Sequence, residues 1–158
     1  MSQNLVYPAL IQAATDFLTA NDSITTDQGT FDNLPVLDPS AIAWENRVFD
    51  DTGKGPIASV FVVENNDGAT IGEAGFDETT GFLQINLDIG TGEGVYPHME
   101  WNRKNCMFFI PGVKFSYQGN SVIVLSSEMS QGRLVGNHFR KSLTIAFRSH
   151  SKRHNPNP

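Results

Sequence analysis

The sequence predicts an α+β domain: a mixed, mostly antiparallel sheet with two helices packed on one face and a β-hairpin extension. Three observations lead there. Apolar residues near the start recur at three- and four-residue spacing. From Ala41 onward they alternate with a period of two. A second helical spacing, between residues 95 and 110, interrupts the strands.

Leu10, Ile11, Ala14, Phe17 and Leu18 share one face of the first helix. Pro8 is tolerated only in a first turn, so the helix begins around residues 5 to 8, and Asn21 and Asp22 close it. The segment from Asn21 to Ser40 is rich in turn formers and acids and reads as a long surface connection. IAW is a short strand, DDTGKG a tight turn, and IASVFVVE (Ile57 to Glu64) is apolar enough for the middle of a sheet. NNDGATIGEAGFDETTG reads as a long hairpin excursion. In GFLQINLDIG, Leu83, Ile85, Leu87 and Ile89 fall on one face, and Gln84, Asn86 and Asp88 on the other.

After the TGEG turn, Val95, Met99, Cys106 and Phe109 lie near one face of the second helix, with Tyr96, Met107 and Ile110 beside it, and Pro111-Gly112 stops it. VKFSY and SVIVLSS flank Gln118-Gly119-Asn120, a hairpin signal. KSLTIAFRS is the last strand, with Leu143, Ile145 and Phe147 alternating against polar neighbours. The expected division is one domain over residues 1–149 and a flexible basic, Pro/Asn-rich tail over 150–158.

A chain of 158 residues suffices for one self-supporting core. Runs such as CMFFI and VFVV are far shorter than the roughly 20 residues of a membrane span, and no leader is expected. With Cys106 as the only cysteine, no intrachain disulfide forms, which fits a reducing cytoplasm. The net charge of −6 argues against a general nucleic-acid binder. Its distribution is uneven: residues 1–97 carry 15 acids against Arg47 and Lys54, whereas residues 98–158 carry nine Lys and Arg against Glu100 and Glu128. Two readings follow. The halves form oppositely charged flanks that favour head-to-tail contacts between copies, or they interleave in space and the asymmetry averages out.

The residues do not assemble an evident catalytic site. Lys54 is followed by Gly55-Pro56 and a strand, so the loop lacks the helix N-terminus and the hydroxyl of a phosphate loop. Of His98, His138, His150 and His154, only the last two have a ligand spacing, and they sit in the tail. Cys106 reads as core filler rather than a nucleophile. Acid pairs such as Asp50-Asp51 and Asp77-Glu78 stand in glycine-rich loops with nothing to enclose them. Arg148, Lys152 and Arg153 lack the aromatics that stack on bases. No enzymatic activity, cofactor or metal is expected.

Several segments in order are familiar: LVYPALIQAATDFL, IAWENRVF, IASVFVV, GFLQINLDIGTGEG, a helix, then FFIPGVKFSYQGNSVIV and a last strand. Over about residues 5 to 149 the chain resembles the tail terminator (minor tail protein) family of bacteriophages with long non-contractile tails. Glu45, where Pro is expected, and the long acidic connection depart from that pattern. The resemblance implies a subunit that forms a ring of six on the last disc of the tail tube, halts tube growth and offers a surface to the head connector. It implies a place in the virion at the head-proximal end of the tail, after assembly in the host cytoplasm.

On this reading Trp44, Asn46, Arg47 and Phe49, with Arg140 and Lys141, are candidate subunit-interface residues, since aromatic and Arg anchors are enriched at interfaces. Trp44 and Phe49 read first as core, which leaves Arg47 the better interface candidate. Asp67, Glu73, Asp77 and Glu78 are candidates for lining the lumen, where carboxylates would repel passing DNA without sequence-specific contact. Another head-to-tail joining protein, a stopper or completion factor, is the alternative in the same class. A small ligand-binding module or enzyme with a cleft beside the sheet is the alternative in a different class.

Overall fold

The computed structural model describes residues 6–44, 56–69, 76–90, 96–117 and 120–152. The α+β expectation holds, with two helices on one face of a mixed, mostly antiparallel sheet. Helix α1 (Val6–Thr19) buries Ala9, Leu10, Ala13, Ala14, Phe17 and Leu18, the stripe its spacing predicts. Asn21, at φ 58°, takes the left-handed conformation that ends a helix, and the Ala20 amide bonds back to the Asp16 carbonyl.

The expected connection carries structure of its own. Strands β1 (Ile24–Thr26) and β2 (Gly29–Phe31) form a separate two-stranded sheet, and a 3-10 turn (Pro39–Ala41) is capped by the Asp38 carboxylate on the Ser40 amide. Thr25 and Thr30 face each other with hydroxyls 3.0 Å apart, so the small sheet is polar and β-branched, without apolar periodicity.

The main sheet has the order β3-β4-β5-β9-β7-β6, with β8 paired to β9. Strand β3 (Ile42–Trp44) runs parallel to β4 (Ile57–Ala69), and every other pairing is antiparallel. Strands β4 and β5 (Phe76–Gly90) pair from Ile57↔Asp88 out to Ala69↔Asp77, so the predicted excursion is a long hairpin, with β9 paired alongside β5 as far as Phe76↔Lys152. Helix α2 (Tyr96–Phe108) follows, then the β6 (Lys114–Tyr117) and β7 (Asn120–Met129) hairpin, β8 (Arg133–Val135) and β9 (His138–Lys152). Because β9 continues through Lys152, the boundary expected at 149 falls inside a strand.

One face of the sheet is core. Ala58 and Val60, Leu83 to Ile89 at alternate positions, Val122 and Val124, and Leu143, Ile145 and Phe147 pack under α1 and against Trp101 and Phe109. Phe17 ties the layers together, its ring centroid 5.5 Å from Trp101 and 5.0 Å from Phe109.

Of the two charge readings the interleaved one holds, and the expectation for Cys106 fails. The charge halves do not form separate flanks: β5 from the acidic half lies against β9 from the basic half along its whole length, with Asp88 opposite Arg140. The charge asymmetry is a property of the chain order that the strand pairing dissolves. Cys106 is exposed, not core, because α2 is turned so that a different face meets the sheet.

Candidate functional site

Helix α2 is inverted relative to an ordinary amphipathic helix. Its buried residues are His98, Trp101, Lys104 and Asn105, three of them polar. Each polar group is anchored. The His98 imidazole meets the Leu87 carbonyl at 2.8 Å, the Lys104 ammonium donates to the carbonyls of Ala20 and Pro35, and the Asn105 amide donates to Ser127 Oγ, which donates on to the Phe109 carbonyl. Burial pushes the Lys104 ammonium down to about 8, opposed by Asp22. It sits 5.5 and 5.3 Å from the ring centroids of Phe17 and Trp101.

Turning that face inward leaves an apolar stripe outward: Tyr96 is 67% exposed, Met99 58% and Ile110 44%, with Arg103 and Cys106 exposed between them. At 100° per residue the stripe is centred about 180° from the buried face. The opposite layer has its own apolar patch. Val60 and Val62 point into the core, so Phe61 and Val63 point away, and Val63 pairs with Phe82; these three are 40%, 50% and 44% exposed.

The same outer face becomes polar toward the end of the sheet near the β8–β9 turn. Ser142 Oγ donates to Asn86 Oδ1 at 2.6 Å, Gln84 donates to the same oxygen at 3.0 Å, and Arg140 holds Asp88 by two bonds, Nε to Oδ1 at 2.6 Å and Nη2 to Oδ2 at 2.8 Å. The carboxylate bond keeps Arg140 above its ordinary value. A half-open cavity of ≈ 440 Å³ lies over the pair, walled by Ile57, Ser59, Val135 and the Gly136–His138 turn. Its lining mixes polar and apolar surface, unlike the mostly apolar clefts that hold small molecules.

Of the residues singled out from sequence, Trp44 closes β3 half-buried against the core. Asn46, Arg47 and Phe49 lie outside the described residues, as do the DDTGKG turn, Glu73 and residues 153–158. Asp67 falls on β4, and Asp77 and Glu78 on β5, at the hairpin end remote from the cavity; only their backbone is described. Arg140 is engaged with Asp88, and Lys141 lies opposite Leu87 on the helix-covered side. The structure therefore does not bring Trp44 and Arg140 or Lys141 to one surface element. Sequence reasoning missed the inverted helix. Its signal was the 3-4-3-4 spacing of Tyr96, Met99, Arg103, Cys106 and Ile110, which is equally the spacing of a partner-facing seam. Among the described residues no cluster of three or more His, Cys, Asp or Glu forms a metal site, and no helix is long and apolar enough to cross a membrane.

No protein-family model and no curated protein matches the chain. A solved protein structure whose name states no role is similar over 98% of this chain and 99% of its own, at 18% identity and a TM-score of 0.56. That likeness concerns the fold alone.

Proposed function

We propose that the chain is a structural subunit that assembles with copies of itself into a hexameric ring on the end of a bacteriophage tail tube, where it stops polymerisation and joins the tail to the head connector. The observation that carries the self-assembling part is the pair of exposed apolar surfaces, one on each layer. A subunit that spends polar side chains on anchoring a helix from below while leaving Tyr96, Met99 and Ile110 in water has surface to be covered. The identification with tail ends rests on the order of segments that resemble tail terminators, and the α+β architecture accommodates it.

In this reading the far end of the β4–β5 hairpin, where Asp67, Asp77 and Glu78 stand in the chain, faces the channel, and its carboxylates keep DNA from sticking. Neutralising them together with Glu73 slows or traps DNA during ejection while leaving ring assembly intact. Unchanged ejection removes the lumen assignment.

The test of the whole reading is a mass measurement of the purified protein, with negative-stain microscopy in the presence of tail-tube protein. Rings bound only at tube ends are the expected result. A strict monomer that leaves tube length and tube ends unchanged overturns it.

A further inference from the structure

We infer that the outward stripe of α2 on one copy docks across the outer sheet patch formed by Phe61, Val63 and Phe82 on the next copy, a head-to-tail contact that repeats around the ring; this rests on the self-assembling reading above and names its contact surfaces. The stripe and the patch are different surfaces on opposite layers of one subunit, so each copy offers one to each neighbour, a head-to-tail contact that makes a ring when the rotation from copy to copy closes. A two-fold alternative, stripe against stripe, is disfavoured by the stripe itself. Arg103 is midway in the chain between Tyr96 and Ile110, so helices related by a two-fold axis through the middle of the seam set guanidinium against guanidinium.

The patch supplies the opposite charge. Phe61 pairs with Gln84, Gln84 with Thr144, and Thr144 with Glu128, a row across four strands of the outer face that ends on an exposed carboxylate. Three strand spacings separate Phe61 from Glu128, about 14 Å. Tyr96 and Arg103 are seven residues apart on the helix, about 10 Å, and the Arg side chain covers the remainder. A helix laid across the strands with Tyr96 and Met99 on Phe61, Val63 and Phe82 thus carries Arg103 toward Glu128. Arg103 is free to turn, since its own partner Glu100 is 3.5 Å away in an exposed i,i+3 pair of small worth. Helix α2 ends at Phe108, so the seam along it is about 18 Å long and one helix wide, well below the roughly 800 Å² per partner of a stable pair. The contact is therefore weak between two free copies and is held by ring closure on the tube tip.

Cys106 lies within the seam and is the only cysteine, so it serves as a native reporter. The full chain carrying Val63→Cys is assembled with tail-tube protein and treated with a bismaleimide whose reach matches the roughly 15 Å between Tyr96, seated on the patch, and Cys106 along the helix. A ladder of dimers, trimers and larger species is expected, absent from the wild type and from Val63→Cys/Cys106→Ser. Met99→Asp, at an exposed position, is expected to keep the melting temperature and lose tube-end rings. Wild-type chains cross-linking to dimers alone through Cys106 would establish the two-fold arrangement and overturn the inference. Rings on tube ends without a Val63–Cys106 ladder overturn this contact but leave the ring reading standing, whereas absence of both rings and ladder overturns the two together.

Discussion

Lys104 on α2 donates a 2.8 Å hydrogen bond to the carbonyl of Ala20, just past the C-terminal end of α1, and a second of equal length to the carbonyl of Pro35. The side chain has no accessible surface. One cation thus caps the negative end of α1 and pins the connection that follows, 84 and 69 residues away in sequence.

Its pKa gives the first prediction. Burial lowers it from 10.5 to about 8, so between those values the unfolded chain binds a proton that the folded chain has released. Stability attributable to Lys104 therefore rises with pH across that window and is level below it, by roughly 3 kcal/mol in total. Deprotonation keeps two N–H donors for the two carbonyls, so both hydrogen bonds survive it. Denaturant unfolding of the wild type and Lys104→Met from pH 7 to 10.5 checks this: the wild type gains on the variant as pH rises. Parallel curves would show that the ammonium is not desolvated as described.

The Asp88–Arg140 pair predicts a non-additive response. Asp88 is buried and has no other carboxylate-bonding partner among the described residues, so Arg140→Met strands its charge. A loss of about 3 kcal/mol is expected, the low end of the range for buried pairs because Arg140 keeps some access to water. Asp88→Leu/Arg140→Met should recover most of it. A double variant as unstable as the sum of the singles would mean that the pair is not a closed unit.

These two features mark where sequence reading stopped. Helix α1, β5 and β9 were legible because each buries one apolar face whose period is written locally: Leu83, Ile85, Leu87 and Ile89 alternate, and all four are buried. Helix α2 was placed but not oriented. Its inner face is selected by carbonyls of Ala20, Pro35 and Leu87, which periodicity cannot see, and Met99 and Cys106 were assigned inward because apolar residues usually point there. The opposite charge of the two chain halves was real in sequence, but Asp88 and Arg140 are 52 residues apart and adjacent in the sheet. The candidate interface from Trp44 to Phe49 is legible only at Trp44, the rest lying outside the described residues.

Gly132 predicts a steric effect. A Cβ there would overlap the ring of Phe139, with its Cε atoms at 2.6 and 2.7 Å and Cζ closer still. The ring cannot retreat freely, because its other side meets the buried His98 at a centroid distance of 5.5 Å. Gly132→Ala should cost about 1–3 kcal/mol by thermal or denaturant unfolding, as overpacked sites do. Gly132→Ala/Phe139→Leu should restore much of that, and a neutral single variant would show that β8 shifts away at little cost.

His98 predicts instability in acid. Its imidazole has no accessible surface, its Nε2 is engaged with the Leu87 carbonyl, and Nδ1 has no partner among the described residues. With a carbonyl as acceptor, Nε2 carries the proton and Nδ1 is bare. Burial lowers the pKa below 6.5, and the nearby Lys141 ammonium lowers it further against the opposing pull of the Leu87 bond and Asp88. Below 6.5 the unfolded chain takes up a proton that the folded chain refuses, so His98 withdraws stability as pH falls from 6.5 toward the folded pKa. His98→Gln, whose amide can still donate to Leu87, should flatten that part of the pH–stability curve. An imidazole resonance titrating near 6.5 in the folded protein, followed by NMR, would place His98 in water and refute the buried anchor of α2.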